Sequence, residues 1–182
     1  MLNTFVAYVE DKPGVLARVA ILFRRRAFNI ETLTVGHSET PGVSRMTIVV
    51  NADKDSARRI EATLYKLVNV LWVQNVTDTC VSRDLALIKV AATAETLDKL
   101  IDIAASSGAQ VVEQLGNTLI LQVTGTEDEI DKFITKLSGY RVVEMVRTGH
   151  IAMARCGESF PAGQRVSLAK QQNNNAHSAR YS

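Results

Sequence analysis

The sequence is short of the features that announce chemistry. Aromatic residues make up 5% of its 182 positions, too few for the stacking platforms on which proteins seat single-stranded nucleic acid. Its two cysteines, Cys80 and Cys156, show no C-x-x-C spacing. That excludes a disulfide framework and fits a reduced, cytoplasmic setting. No apolar run approaches the roughly 18 residues of a membrane span; the longest, such as Leu119-Ile120-Leu121, are strand-sized. Met1-Leu2-Asn3-Thr4-Phe5 has no basic stretch followed by an apolar one, so the start does not read as a signal peptide. Charge is nearly balanced, with 21 Lys/Arg against 19 Asp/Glu, and no segment carries the concentrated positive field of a nucleic-acid binder.

Catalytic motifs are missing too. There is no phosphate loop, no G-x-G-x-x-G and no H-E-x-x-H. His37, His150 and His177 lie far apart, and Cys80 has no histidine near it in sequence that would make it a nucleophile. Glu127, Asp128, Glu129 and Asp131 read as the favourable first turn of a helix rather than as an acid–base pair. The sequence offers no catalytic residue and no metal site.

What is present is an ordinary globular composition, 46% hydrophobic and 22% charged, in a length that holds one large domain or two small ones. Periodicity decides for two. Residues 2–10 alternate as a strand, Pro13-Gly14 breaks it, and Val15, Leu16, Val19, Leu22 and Phe23 form a helical stripe that ends in Arg24-Arg25-Arg26. Strands over about 29–38 and 44–51 follow, then a helix through Ala57, Ile60 and Leu64 and a strand over about 70–78. The same order recurs from Arg83. Leu85–Val90 is a strand, Leu97–Ala104 a helix closed by Gly108, and a hairpin turns at Gly116-Asn117. Thr126-x-x-Glu129 opens a second helix as a capping box, and a strand over about 140–147 ends the pattern.

The predicted fold is α+β: two consecutive ferredoxin-like βαββαβ modules, over 2–79 and 82–155, each an antiparallel sheet with both helices on one face. Cys80 falls in the linker between them. The polar, aperiodic stretch over 156–182, with its Gln171–Asn175 run, reads as a disordered tail. The uncovered face of each sheet calls for a partner surface, so a homo-oligomer is expected. The first module is slightly basic, with ten Lys/Arg against eight Asp/Glu over residues 1–79; residues 80–150 are acidic, with seven against ten.

One constellation could bind a ligand. In Glu10-Asp11-Lys12-Pro13-Gly14-Val15-Leu16 an acidic residue leaves a strand, Pro-Gly turns the chain, and a helix opens at once. The free N–H groups and positive dipole end of that helix can hold a small carboxylate. Gly14 lets a ligand reach the backbone, Asp11 can take an ammonium, and Val15 and Leu16 can form an apolar wall. The plain alternative is a strand–helix connection using Pro-Gly as turn chemistry, with Asn29 no more than a polar residue entering a strand.

At these residues the chain resembles a known family. E-D-K-P-G-V-L-A-R-V (10–19), F-N-I-E-T-L-T-V (28–35) and S-R-M-T-I-V-V (44–50) resemble the regulatory small subunits of acetolactate synthase, whose first module is an ACT domain. R-T-G at 147–149 is similar to the end of the family's second domain. The resemblance implies a non-catalytic, homodimeric subunit that activates a separate catalytic large subunit and confers feedback inhibition by valine or another branched-chain amino acid. Thiamine diphosphate, magnesium and FAD would belong to that large subunit, with no cofactor in this chain. It also implies effector contacts at Asp11, Gly14, Val15 and Leu16 of one protomer, with Asn29 and Ile30 from the facing one. The family commonly has asparagine where this chain has Asp11. A stand-alone amino-acid sensor or co-regulator on the same module is the competing reading; recovery of a large thiamine-dependent partner or of nucleic acid would separate the two.

Overall fold

The computed structural model describes residues 1–156. From residue 157 on, the expected tail lies outside the described residues. Two units emerge: Met1–Val81 joined by the segment from Ala152, and Ser82–Ile151.

The first unit is built from β1 (Leu2–Glu10), α1 (Val15–Arg25), β2 (Ile30–His37), β3 (Val43–Asn51), α2 (Lys54–Leu64) and β4 (Val70–Asn75). Its antiparallel sheet has the order β2-β3-β1-β4, leaving β2 and β4 as edges. The helical stripe read from the sequence is the buried face of α1: Val15, Val19, Leu22 and Phe23. These pack on Phe5, Ala7, Val9, Met46, Ile48 and Val50 from the sheet and on Ala57, Ile60 and Leu64 from α2. Full burial of side chains such as Phe23 stabilises by about 1.5–3 kcal/mol each. At the far end of α1, Ala27 takes a left-handed φ of 55°, and the Phe28 N–H closes on the Phe23 carbonyl at 3.1 Å. This is a Schellman closure made without glycine.

The second unit contains β5 (Cys80–Ala91), α3 (Leu97–Ser106), β6 (Gln110–Leu115), β7 (Thr118–Gly125), α4 (Glu127–Lys136) and β8 (Arg141–Arg147). Its sheet order is β6-β7-β5-β8. Ile88, Val90, Leu119 and Leu121 meet Leu100, Ile130 and Phe133 in a core of its own. The capping box at the start of α4 forms as the spacing predicts.

Three features differ from the sequence reading. Cys80 is not in a linker but begins β5, half-buried, and burial pushes its thiol's proton affinity up, the opposite of what a nucleophile needs. The pattern does not end with the strand over 140–147: Ile151–Ala154 form β9, which pairs with β5. Four residues with two outward-facing side chains are too short a pattern to read. Finally, the second face of the first sheet is covered from within the chain. Val6, Tyr8, Val43, Trp72 and Val76 make a separate cluster there with Ala152. Arg45 fastens it, donating to the Tyr8 hydroxyl at 3.2 Å and to the Ala152 carbonyl, with its guanidinium 5.5 Å from the centre of the Tyr8 ring.

Candidate functional site

The β1–α1 connection is held by backbone and side-chain bonds before any ligand is considered. The Asp11 N–H donates to the Gly42 carbonyl at 3.1 Å and the Lys12 N–H to the Glu10 carbonyl at 3.0 Å. Glu10 accepts from Asn69 Nδ2 at 2.6 Å and from Lys12 Nζ at 3.2 Å, while Arg18 Nη1 donates to Asn69 Oδ1 at 2.6 Å. Asn69, which the sequence reading passed over, thus ties the loop to α1. A lone Asn before a strand carries no periodic signal that would reveal this.

Gly14 is the N-cap of α1 at a φ of 84° and supplies no side-chain cap. Its carbonyl receives the Arg18 N–H and the Val15 N–H reaches the Lys12 carbonyl. The N–H groups of Leu16 and Ala17 find no acceptor among the described residues. A Cβ placed on Gly14 would meet nothing within 4 Å. Uncapped donors beside open space at the positive end of a helix can receive a carboxylate. Leu16 stands 44% exposed beside them, whereas Val15 is buried in the core. Of the two, Leu16 alone is placed to form an apolar wall, since the Val15 side chain faces the core.

Asp11 is engaged rather than vacant. Its Oδ1 accepts from Ser44 Oγ at 3.1 Å and its Oδ2 lies 3.4 Å from His37 Nδ1. A carboxylate has acceptor capacity left after two such contacts.

Within one chain, Asn29 and Ile30 do not join this site. Ile30 pairs with Val50, which pairs with Asn3, whereas Asp11 follows Glu10 at the other end of β1. Eight residues at strand spacing separate the two levels by about 26 Å. Ile30 leans on the core, and Asn29 is exposed, with Nδ2 3.4 Å from Glu31 Oε1.

The second unit holds a buried charge cluster that the sequence did not signal. Asp84, 4% exposed, receives Arg147 Nε and Nη2 at 3.2 and 3.0 Å on one oxygen and His150 Nδ1 on the other. Arg147 Nη1 reaches Asp131 at 2.8 Å. Among the described residues no three His, Cys, Asp or Glu side chains are placed to hold a metal ion, and no helix is long and apolar enough to cross a membrane.

Comparison with known proteins bears on both units. A family described as the AHAS small subunit-like ACT domain matches residues 5–72, and one described as the small subunit of acetolactate synthase matches residues 83–156. The chain belongs to the acetolactate synthase small-subunit family. Relatives in this family include the probable acetolactate synthase small subunit of Archaeoglobus fulgidus, 43% identical over 85% of this chain and 98% of that one. The acetolactate synthase small subunit of Mycolicibacterium smegmatis is 41% identical over 84% and 91%. The crystal structure of the Thermotoga maritima small subunit superposes with a TM-score of 0.80 at 36% identity, covering 85% of this chain and 98% of that one. Membership of the small-subunit family agrees with the two ferredoxin-like modules and with the resemblance carried by the loop at 10–19.

Proposed function

We propose that this chain is the regulatory, non-catalytic subunit of acetolactate synthase, activating a catalytic large subunit and making it sensitive to valine or another branched-chain amino acid. Family membership supports the regulatory role. The observation that carries the effector reading is the uncapped start of α1, where the Leu16 and Ala17 N–H groups and the open space at Gly14 face no protein group. The carboxylate of an amino acid takes those donors, Asp11 takes its ammonium, and Leu16 packs on its side chain. Thiamine diphosphate, magnesium and FAD are assigned to the large subunit and no cofactor to this one; the complex is placed in the cytoplasm.

The site is shared by two protomers. β2 is an edge strand, and edges pair readily with a second copy. In a two-fold, antiparallel pairing of β2 edges, Ile30 of one protomer comes level with the His37 end of the other. His37 already touches Asp11, so Asn29 and Ile30 of the second protomer arrive at the loop. Amino-acid binding across such an interface favours one packing over another, and about 1–3 kcal/mol of coupling changes activity about 5–150-fold.

Calorimetry with valine, leucine and isoleucine on the isolated chain tests the effector site. Heat of binding for at least one is expected, and silence from all three at millimolar concentration defeats it. Reconstitution with the large subunit tests activation separately.

A further inference from the structure

A cavity of about 360 Å³ with charged residues in its walls lies in the first unit, at the opposite end of β1 from the loop at 11–16. Its floor is a closed hydrogen-bond chain. Asn3 donates to the Ala52 carbonyl at 2.8 Å, Asn75 Nδ2 reaches Asn3 Oδ1 at 3.3 Å, and the Thr77 hydroxyl donates to Asn75 Oδ1 at 2.6 Å. The side-chain polar atoms of the floor are thus engaged with one another and with the backbone. The charged groups are on the walls. Lys54, Arg58 and Glu61 stand on one stripe of α2, Asp78 also lines the cavity, and the Met1 ammonium, the remaining charge there, is bonded to Asn51 Oδ1 and the Ala52 carbonyl.

Those charges are arranged in a way the protein does not itself relieve. Lys54 and Arg58 are one turn apart, a like-charge spacing that disfavours the helix. Lys54 also stands in the first turn of α2, where the helix dipole repels cations. Neither Lys54 nor Arg58 makes an ion pair among the described residues, and neither does Glu61 or Asp78. Asp53 and Asp55 lie nearby, but Asp53 is spent on capping Ser56 and neither lines the cavity. Burial raises the Glu61 carboxyl above its ordinary value, against a smaller opposing bond from the Asn75 backbone N–H; a cation beside it would offset that burial. Arg58 and Glu61 are separated by about 4.5 Å along the helix axis. Opposite charges at that spacing can meet the anionic and cationic groups of one small molecule.

We propose that this cavity is a second ligand site, taking a small zwitterion of the polar amino-acid class, with its carboxylate between Lys54 and Arg58 and its ammonium against Glu61 and Asp78. It is chemically unlike the effector loop, which offers an apolar wall, and it stands whether or not that loop binds valine.

The test is an amide NMR titration of the full chain with L-glutamine, alongside propionate and methylamine, which each carry one of the two charges. Saturable shifts at Asn3, Asn75 and Thr77 are expected with glutamine, at a midpoint at least about fivefold lower than with either fragment. The shifts should vanish in the Lys54→Gln/Arg58→Gln variant, both positions being exposed, and should persist in Gly14→Asp. No saturable shift by about 10 mM, an equal response to propionate, shifts surviving the double substitution, or their loss in Gly14→Asp would each overturn the proposal.

Discussion

Arg147 grips Asp84 through Nε and Nη2 at 3.2 and 3.0 Å, from the end of β8 to a carboxylate that is almost wholly buried. Removing one member of such a pair leaves an uncompensated charge. Arg147 would keep Asp131, so the loss falls at the lower end for buried pairs. Asp84→Ala is expected to destabilise the second unit by about 2–3 kcal/mol, read as a lowered urea midpoint. A change under a few tenths would show the cluster to be idle.

This pair also shows how far the sequence could be read. R-T-G at 147–149 marks the family, yet its work appears only in three dimensions. Arg147 binds Asp84, and Thr148 exchanges bonds with the Leu85 backbone, its N–H to the carbonyl at 2.9 Å and its hydroxyl from the N–H at 3.0 Å. Arg45 in S-R-M-T is similar, since its partners are Tyr8 and Ala152, over a hundred positions apart in the second case. Helical stripes, the capping box and the glycine turn were legible because local spacing determines them. Bonds across long sequence separations were not, and neither was the left-handed Ala27, where a residue without special turn chemistry closes α1. Of the residues proposed for the effector, the loop positions share one place in the fold, while Asn29 and Ile30 are remote within the chain.

At Gly14 the backbone is left-handed and the space beyond is open. Asparagine and aspartate tolerate that conformation better than other non-glycine residues, so Gly14→Asp should fold. Its carboxylate would stand where the proposed site takes the effector carboxylate. Valine inhibition of the reconstituted enzyme is expected to weaken at least about tenfold while activation stays intact. Loss of both together would make the loop structural.

Glu129 gives a pH signature. The Thr126 N–H, then its hydroxyl, hold the Glu129 carboxyl below the ordinary glutamate value of 4.5. A lowered folded value contributes stability at pH above 4.5, and that contribution fades as pH falls through the folded value. Glu129→Gln can still accept the Thr126 N–H but carries no charge to titrate, so it should lose that contribution at neutral pH, match the parent protein at acid pH, and flatten the limb between. Parallel acid limbs for the two proteins in melts across that range would refute this.

Thr34 has a buried hydroxyl with no hydrogen-bond partner. Valine has the same shape without the polar atom, and an unsatisfied buried hydroxyl costs about 1–3 kcal/mol. Thr34→Val should therefore raise the melting temperature, by an amount equivalent to about 1 kcal/mol. An unchanged or lowered value would mean that the hydroxyl finds a partner in solution.

The proposed sharing of the site by two protomers makes a prediction that no single variant can. Gly14→Asp damages the loop half, and Asn29→Ala, at an exposed position, damages the other half. Each variant alone assembles two damaged sites. In a mixed dimer, the Asn29→Ala chain supplies an intact loop and the Gly14→Asp chain supplies an intact Asn29, so one site is whole and the other carries both lesions. Co-expression of the two is expected to restore part of the valine response that each lacks. If loop and Asn29 acted within one chain, across about 26 Å, every site in the mixture would still carry a lesion. Valine titration of the reconstituted mixture, with the two chains differently tagged so that only mixed dimers are assayed, separates the cases: an insensitive mixed dimer excludes the shared site.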